Sequence, residues 1–145
     1  MVRRTIRWTY VVFTWLMFAA VVAQFFLAGL GVFGGPGGFQ AHVTLGYSLL
    51  FVTLIDLALA FAARLPWSVI GLTALLPILV LLQSVFIAVW HSGLPVVAAL
   101  HVVNGLAIFS LAGLLAFWSL RRLASAKPVA MGAGAATLDQ RVQPS

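Results

Sequence analysis

Two of the three histidines in this chain, His42 and His101, are each followed four residues later by a glycine, Gly46 and Gly105. Residues four apart share one face of a helix, so each glycine leaves a flat space beside an imidazole. That combination suits a planar cofactor, and histidine is a common axial ligand of haem iron. The pattern predicts a haem b site in which His42 and His101 bind the iron and Gly46 and Gly105 face the cofactor.

The two histidines are also part of an internal repeat with a spacing of 59 residues. The same frame pairs other residues that an apolar helix does not need, namely Gln24 with Gln83, Gly34 with Gly93 and Pro36 with Pro95. Hydrophobic composition alone does not align Gln, Pro, His and Gly in one frame. The sequence therefore predicts a duplicated unit in which the two histidines are symmetry mates.

The chain has the composition of a membrane protein. Of its 145 residues, 63% are hydrophobic and 7% are charged, and the mean hydropathy is +1.16. A helix of about 20 apolar residues crosses a bilayer, and four such spans fit, over residues 8–33, 39–63, 66–90 and 94–120. We predict an all-α integral membrane four-helix bundle over residues 1–125 and a disordered cytoplasmic tail over residues 126–145, because that segment is small and polar.

The net charge of +6 indicates topology and argues against nucleic-acid binding. The basic residues flank only one end of the four spans, and that end is predicted to be cytoplasmic together with both termini. The start of the chain resembles a signal peptide, but its apolar run is too long for one, so the first span is expected to be retained. There is no cysteine, so thiolate metal sites and disulfides are excluded.

Each repeat is predicted to be a helical hairpin, and two crossings leave the second copy in the same orientation as the first. Two tandem parallel hairpins are related by an axis along the membrane normal. His42 and His101 then lie at equal depth in the outer part of the membrane, on the second and fourth spans. Ligands from facing helices are how four-helix bundles hold metal cofactors.

Other interpretations of the polar residues stay open. Either histidine could instead be solvated or hydrogen-bonded, whereas a zinc site is less favoured because no carboxylate or thiolate accompanies the pair. His91 has no symmetry mate and could replace an axial ligand, bond a haem propionate or face water. Gln24, Gln83 and Asn104 are expected to form hydrogen bonds between helices, with cofactor contact as the alternative for the glutamines.

Asp56 is the one acidic residue of the four spans. A proton relay or a quinone contact is possible chemistry for a carboxyl group in a membrane. A partnership with a snorkelling Arg7, Arg64 or Arg122 is the favoured prediction, because long basic side chains reach along helices towards the interface.

The stretch from Gln24 to Phe33 with the downstream His42, and again Gln83 with Leu94, Pro95 and His101, resembles the haem A synthase family. Proteins of that family look like two four-helix halves, each with a histidine on its second and fourth helices and a haem on the outer side. This chain resembles one such half over residues 11–120, and is also similar to small four-helix bacterial membrane proteins.

The chain departs from the haem A synthase pattern at two catalytic positions. Phe39 stands where the catalytic half has a glutamate three residues before its first histidine, and Val43 stands where an arginine is expected. The resemblance therefore implies haem b binding without the hydroxylation of the haem, and the chain is expected not to be an enzyme of that kind.

Three hypotheses of function result. The first is a membrane haem b protein, similar to cytochrome b in its ligands, that transfers electrons or handles haem, with a quinone or a larger membrane complex as its partner besides the lipid bilayer. The second is a cofactor-free structural subunit or assembly factor of a membrane complex. The third, a small transporter, is the least favoured because the spans lack paired charges at the repeat interface.

Overall fold

The computed structural model describes residues 2–35, 37–90 and 93–124, and these residues form five helices. Four stretches of the chain are long and apolar enough to cross a membrane, and the fourth of these, Pro95–Arg122, contains parts of two helices. The helices are α1 (Val2–Phe33), α2 (Gln40–Ala62), α3 (Trp67–Trp90), the single turn α4 (Pro95–Ala98) and α5 (Leu100–Ala124). The described residues contain no strand, which confirms the predicted all-α membrane bundle.

The four long helices form a closed ring in which each contacts two neighbours. Helix α1 packs against α2 and α5, and α3 packs against the same two helices. The described residues of the diagonal pair α2 and α5 bring no two Cα atoms within 8 Å of each other. This is the arrangement that two parallel hairpins, α1–α2 and α3–α5, produce around a central axis.

The packing of the core confirms the repeat, because buried side chains occur at equivalent positions of the two hairpins, 59 residues apart. Buried residues on α2 are separated by three or four positions, which is the spacing of one helix face. The equivalent buried pairs are Tyr10 with Val69, Val11 with Ile70, Thr14 with Thr73, Met17 with Leu76, Val21 with Val80, Leu49 with Ile108, Thr53 with Ala112 and Asp56 with Leu115. Large apolar side chains also cover much of the outer surface, as contact with lipid requires.

The ends of two spans differ from the sequence prediction. Helix α1 begins at Val2, so the basic residues Arg3, Arg4 and Arg7 belong to its first two turns. The fourth span is divided at Ala99 into α4 and α5. Gly93 has a φ angle of +79°, a conformation that glycine adopts without strain, and Pro95 follows at the first position of α4.

Candidate functional site

The structure brings the imidazoles of His42 and His101 together across the diagonal of the bundle. The centres of the two rings are 6.1 Å apart, and the ring planes make an angle of 58°. Both side chains are half-buried. Because the backbones of α2 and α5 do not approach each other here, the two side chains span the space between these helices.

Each imidazole is oriented by a hydrogen bond to the first helix of its own hairpin. The Nδ1 atom of His42 lies 3.1 Å from the main-chain oxygen of Gln24, and that of His101 lies 3.3 Å from the main-chain oxygen of Gln83. A carbonyl oxygen only accepts, so Nδ1 carries the hydrogen in both rings. In the neutral imidazole this leaves the lone pair on Nε2, which is the tautomer of a metal ligand whose other nitrogen is held by the protein.

Gly46 and Gly105 have a different local role from the one predicted. A Cβ atom added at Gly46 would lie 3.0 Å from Nε2 of Gln24, and one at Gly105 would lie 3.3 Å from Nε2 of Gln83. The space beside each histidine is therefore occupied by a glutamine amide group and is not open for a planar cofactor in this conformation. The glycines allow the glutamine side chains to lie directly against α2 and α5.

Within the described parts of the chain, the glutamine side chains do not form the hydrogen bonds between helices that were expected of them. The Oε1 atoms of Gln24 and Gln83 are buried and have no hydrogen-bond partner among the described residues. Their main-chain oxygens accept the interhelical bonds from the histidines instead. This part of the bundle therefore contains two imidazole Nε2 atoms and two buried amide oxygens that have no partner among the described residues.

The ring of Phe39 helps to hold His42. It contacts the His42 ring edge-on, with centres 6.2 Å apart. It also lies so close to Gly31 that a Cβ atom there would overlap it. Phe39 is therefore an apolar support for His42.

The separation of the histidine rings is compatible with a shared metal. Two imidazoles that bind one metal from opposite sides, each with a bond of about 2 Å, have ring centres roughly 6 Å apart. Among the described residues, no group of three or more His, Cys, Asp or Glu side chains could enclose an ion. A donor set of two imidazoles alone fits the axial positions of a metal whose other ligands come from a macrocycle, as in haem.

The surroundings of Asp56 differ from the predicted pairing with an arginine. The residue is fully buried, on the same face of α2 as Thr53 and Ala60, and neither carboxylate oxygen has a hydrogen-bond partner in the part of the chain that the structure describes. The predicted pairing with Arg7, Arg64 or Arg122 is therefore wrong. The reason is the burial of the side chain, which lies on the core face of α2 and not at the surface.

Asn104 forms the predicted contact with a neighbouring helix. Its Nδ2 atom donates a hydrogen bond of 2.8 Å to the main-chain oxygen of Leu79 on α3. His91 and Pro36 lie outside the described residues.

Sequence reasoning missed a set of hydroxyl groups in the half of the bundle nearer the basic residues. Thr73 donates to the main-chain oxygen of Val69, so the Tyr10 hydroxyl, 2.8 Å away, donates to Thr73. Thr14 lies 3.3 Å from Ser119 across the α1–α5 contact. The available signal was that Thr14 and Thr73 are equivalent positions of the repeat, as Gln24 and Gln83 are.

Fold and composition define the class of this protein as a multi-pass membrane four-helix bundle. Residues 24–89 match a family described as a family of unknown function (DUF6220). The matched segment contains Gln24, His42, Gly46 and Gln83, and it ends before His101. Among curated proteins and solved structures, none is significantly similar to the chain.

Proposed function

We propose that this chain is a membrane haem b protein in which His42 and His101 are the axial ligands of the iron. The observation that carries the proposal is the pair of imidazoles, whose centres are 6.1 Å apart and whose Nδ1 atoms are both held by main-chain oxygens. An oriented imidazole with its free lone pair towards the metal is the usual state of a ligating histidine.

The haem would supply one-electron redox chemistry, and the protein would supply its binding and environment. His42 and His101 would hold the iron from two helices whose Cα atoms do not come within 8 Å of each other among the described residues. Gln24 and Gln83 fix the histidine tautomer through their main-chain oxygens. Their side chains lie against Gly46 and Gly105, so we propose that they swing away when the cofactor takes the space beside each imidazole.

We place the haem near the outer face of the cell membrane. The proposed orientation follows the excess of Arg at one end of the spans, which positive-inside bias makes cytoplasmic together with both termini. The similarity to one half of the haem A synthase family supports a haem on the side opposite to that end. The proposed role is electron transfer or haem handling, since Phe39 and Val43 leave the catalytic positions of that family without acid or base.

The test is an optical spectrum of the purified protein from cells supplied with haem. We expect a Soret band and a reduced-minus-oxidised difference spectrum of low-spin haem b. His42→Ala and His101→Ala should each abolish the low-spin spectrum, because each removes one axial ligand. Colourless wild-type protein, or an unchanged spectrum in the variant that lacks both histidines, would refute the proposal.

His91→Ala is the matched control, since it removes the third histidine of the chain. We expect it to keep the low-spin spectrum. Loss of that spectrum in His91→Ala with retention in His101→Ala would assign the second ligand to His91 and overturn the proposed pair.

A second candidate function is a cofactor-free structural subunit or assembly factor of a membrane complex. The observation that favours it is that each histidine already bonds to a neighbouring helix and that glutamine amides occupy the space beside both glycines. This alternative predicts a colourless protein. It also predicts that the variant lacking His42 and His101 loses thermal stability while still co-purifying with its partner proteins.

A further inference from the structure

A second candidate site lies at the end of the bundle where the arginines are, on the opposite side from the paired histidines. Here the structure contains a cavity of about 650 Å³, which is in the size range of ligand sites. We call it the basic cavity. It is lined by Arg7, Tyr10 and Val11 of α1, Leu65 and Pro66 of the α2–α3 connection, Val69 of α3, and Trp118, Ser119, Arg121 and Arg122 of α5.

Among the described residues, the lining has three guanidinium groups and no acidic side chain. Asp56, the one acid in the spans, is fully buried and is not part of the lining. The Nε atom of Arg7 is buried and has no hydrogen-bond partner among the described residues. A buried donor of a charged group without a partner is costly, and an anion in the cavity would satisfy it.

One of the arginines is held in place before any ligand arrives. The guanidinium carbon of Arg122 lies 3.9 Å from the centre of the Trp118 ring, which is a cation–π contact. Stacking on the ring reduces the side-chain freedom that binding would otherwise have to remove. It also leaves the edge of the guanidinium, where the N–H groups are, available for hydrogen bonds.

The hydroxyl groups of the lining do not compete for this role, because their hydrogens already point to protein acceptors. Tyr10 donates to Thr73, and Ser119 donates to the main-chain oxygen of Ala116. The recognition chemistry of the basic cavity therefore comes from its guanidinium groups. Their planar forks match the oxygens of a phosphate group, and arginine is favoured where such groups are bound.

We propose that the basic cavity binds a phosphate group, carried either by a phospholipid or by a soluble phosphate. Basic pockets between membrane helices are the kind of site that holds the headgroups of anionic lipids. Val11, Leu65 and Val69 add an apolar wall to the same cavity. This site is independent of the proposed haem and does not require it.

The experiment uses the full chain, delipidated in a neutral detergent and titrated with three probes. They are phosphatidylglycerol, diacylglycerol, which lacks the phosphate, and inorganic phosphate. Native mass spectrometry counts bound lipid, and displacement of phosphatidylglycerol reports binding of inorganic phosphate. We expect phosphatidylglycerol to bind at least about tenfold more tightly than diacylglycerol, since each arginine near the headgroup strengthens binding several-fold.

Matched variants separate the cavity from general surface charge. Arg7→Gln with Arg122→Gln should reduce binding of phosphatidylglycerol to the level of diacylglycerol. Arg3→Gln with Arg4→Gln removes the same charge from exposed positions outside the lining and should keep most of the preference. The pair Arg7→Lys with Arg122→Lys keeps the charge but loses the fork, so it should weaken binding several-fold in a protein with unchanged gel-filtration behaviour.

The two sources of phosphate give different results, and both support the site. Displacement of the lipid by millimolar inorganic phosphate would identify a soluble phosphate as a ligand, whereas retention of the lipid would identify a phospholipid. The proposal is overturned if phosphatidylglycerol and diacylglycerol bind equally and inorganic phosphate does not bind. It is also overturned if the Arg3 and Arg4 variant loses as much binding as the Arg7 and Arg122 variant.

Discussion

Asp56 of α2 and Leu115 of α5 are equivalent positions of the repeat, and both side chains are almost completely buried, at 0% and 1% exposure. The same core position is therefore apolar in one hairpin, whereas in the other it is a carboxyl group that has no hydrogen-bond partner among the described residues. An ionisable group in such a place is costly and tends to mark function. The second hairpin has a leucine at this position, so a leucine side chain is the natural replacement for Asp56.

Asp56→Leu should stabilise the fold, because it replaces an unpartnered polar group by the residue present at the equivalent position. We expect the free energy of unfolding to rise by about 1 to 3 kcal/mol. Thermal denaturation in detergent measures the change, with Asp56→Asn as the control that removes charge but keeps polarity and should gain less. A lower melting temperature for Asp56→Leu would mean that the carboxyl group has a stabilising partner.

The glycines beside the histidines should respond to alanine in a fixed order. Gly71 lies on an exposed face of α3 with nothing within 4 Å of an added Cβ atom, so Gly71→Ala should stabilise by up to about 1 kcal/mol through helix propensity. Gly105→Ala should gain less, and Gly46→Ala least, because the glutamine amides lie 3.3 and 3.0 Å from the added atom. Melting temperatures test this order.

Removal of the glutamine side chain provides the internal control. In a Gln24→Ala background, Gly46→Ala should behave like Gly71→Ala, since the obstructing amide is absent. If Gly46→Ala changes the melting temperature by the same amount in the wild-type and the Gln24→Ala backgrounds, the amide does not lie against the glycine.

The buried bond between Tyr10 and Thr73 should couple the two hairpins energetically. Tyr10→Phe removes the donor, while the hydroxyl of Thr73 keeps its bond to Val69. We expect Tyr10→Phe to cost about 0.5 to 1.5 kcal/mol. In a double-mutant cycle with Thr73→Val, the coupling should be a comparable amount; a coupling of zero would show that the hydroxyls do not interact.

Asn104→Leu should destabilise the α3–α5 contact although Leu45 is the equivalent residue of the first hairpin. The substitution leaves the main-chain oxygen of Leu79 without its 2.8 Å partner. A cost of about 1 kcal/mol is typical of an interhelical hydrogen bond in a membrane. The reciprocal change Leu45→Asn is the control, and a stability of Asn104→Leu equal to wild type would contradict the prediction.

The proposed orientation can be tested because the chain has no cysteine. Val2 and Val96 are exposed residues at opposite ends of the spans. On intact cells, a membrane-impermeant maleimide should label Val96→Cys and should not label Val2→Cys until the membrane is permeabilised. The reverse pattern would place both termini outside.

The repeat made much of this molecule predictable. Matching Gln24 with Gln83 and His42 with His101 places these residues on equivalent helices. The chain crosses the membrane twice between the members of each pair, so both members lie towards the same side of the membrane. Burial followed the same spacing, as with Met17 and Leu76. Such features depend on helix periodicity and on connectivity, both of which are local properties of the chain.

By itself, the sequence determined a four-helix membrane bundle of two parallel hairpins with one basic end. It could not determine how far apart the imidazoles are or what faces each polar atom, because these depend on how the helices pack and rotate. Only the tertiary structure decided that the His42 and His101 rings lie 6.1 Å apart, that Nδ1 is the bonded nitrogen, and that Asp56 is buried without a hydrogen-bond partner among the described residues. A rotation of one helix by a single residue, about 100°, would change all three without altering the hydrophobic pattern that specifies the spans.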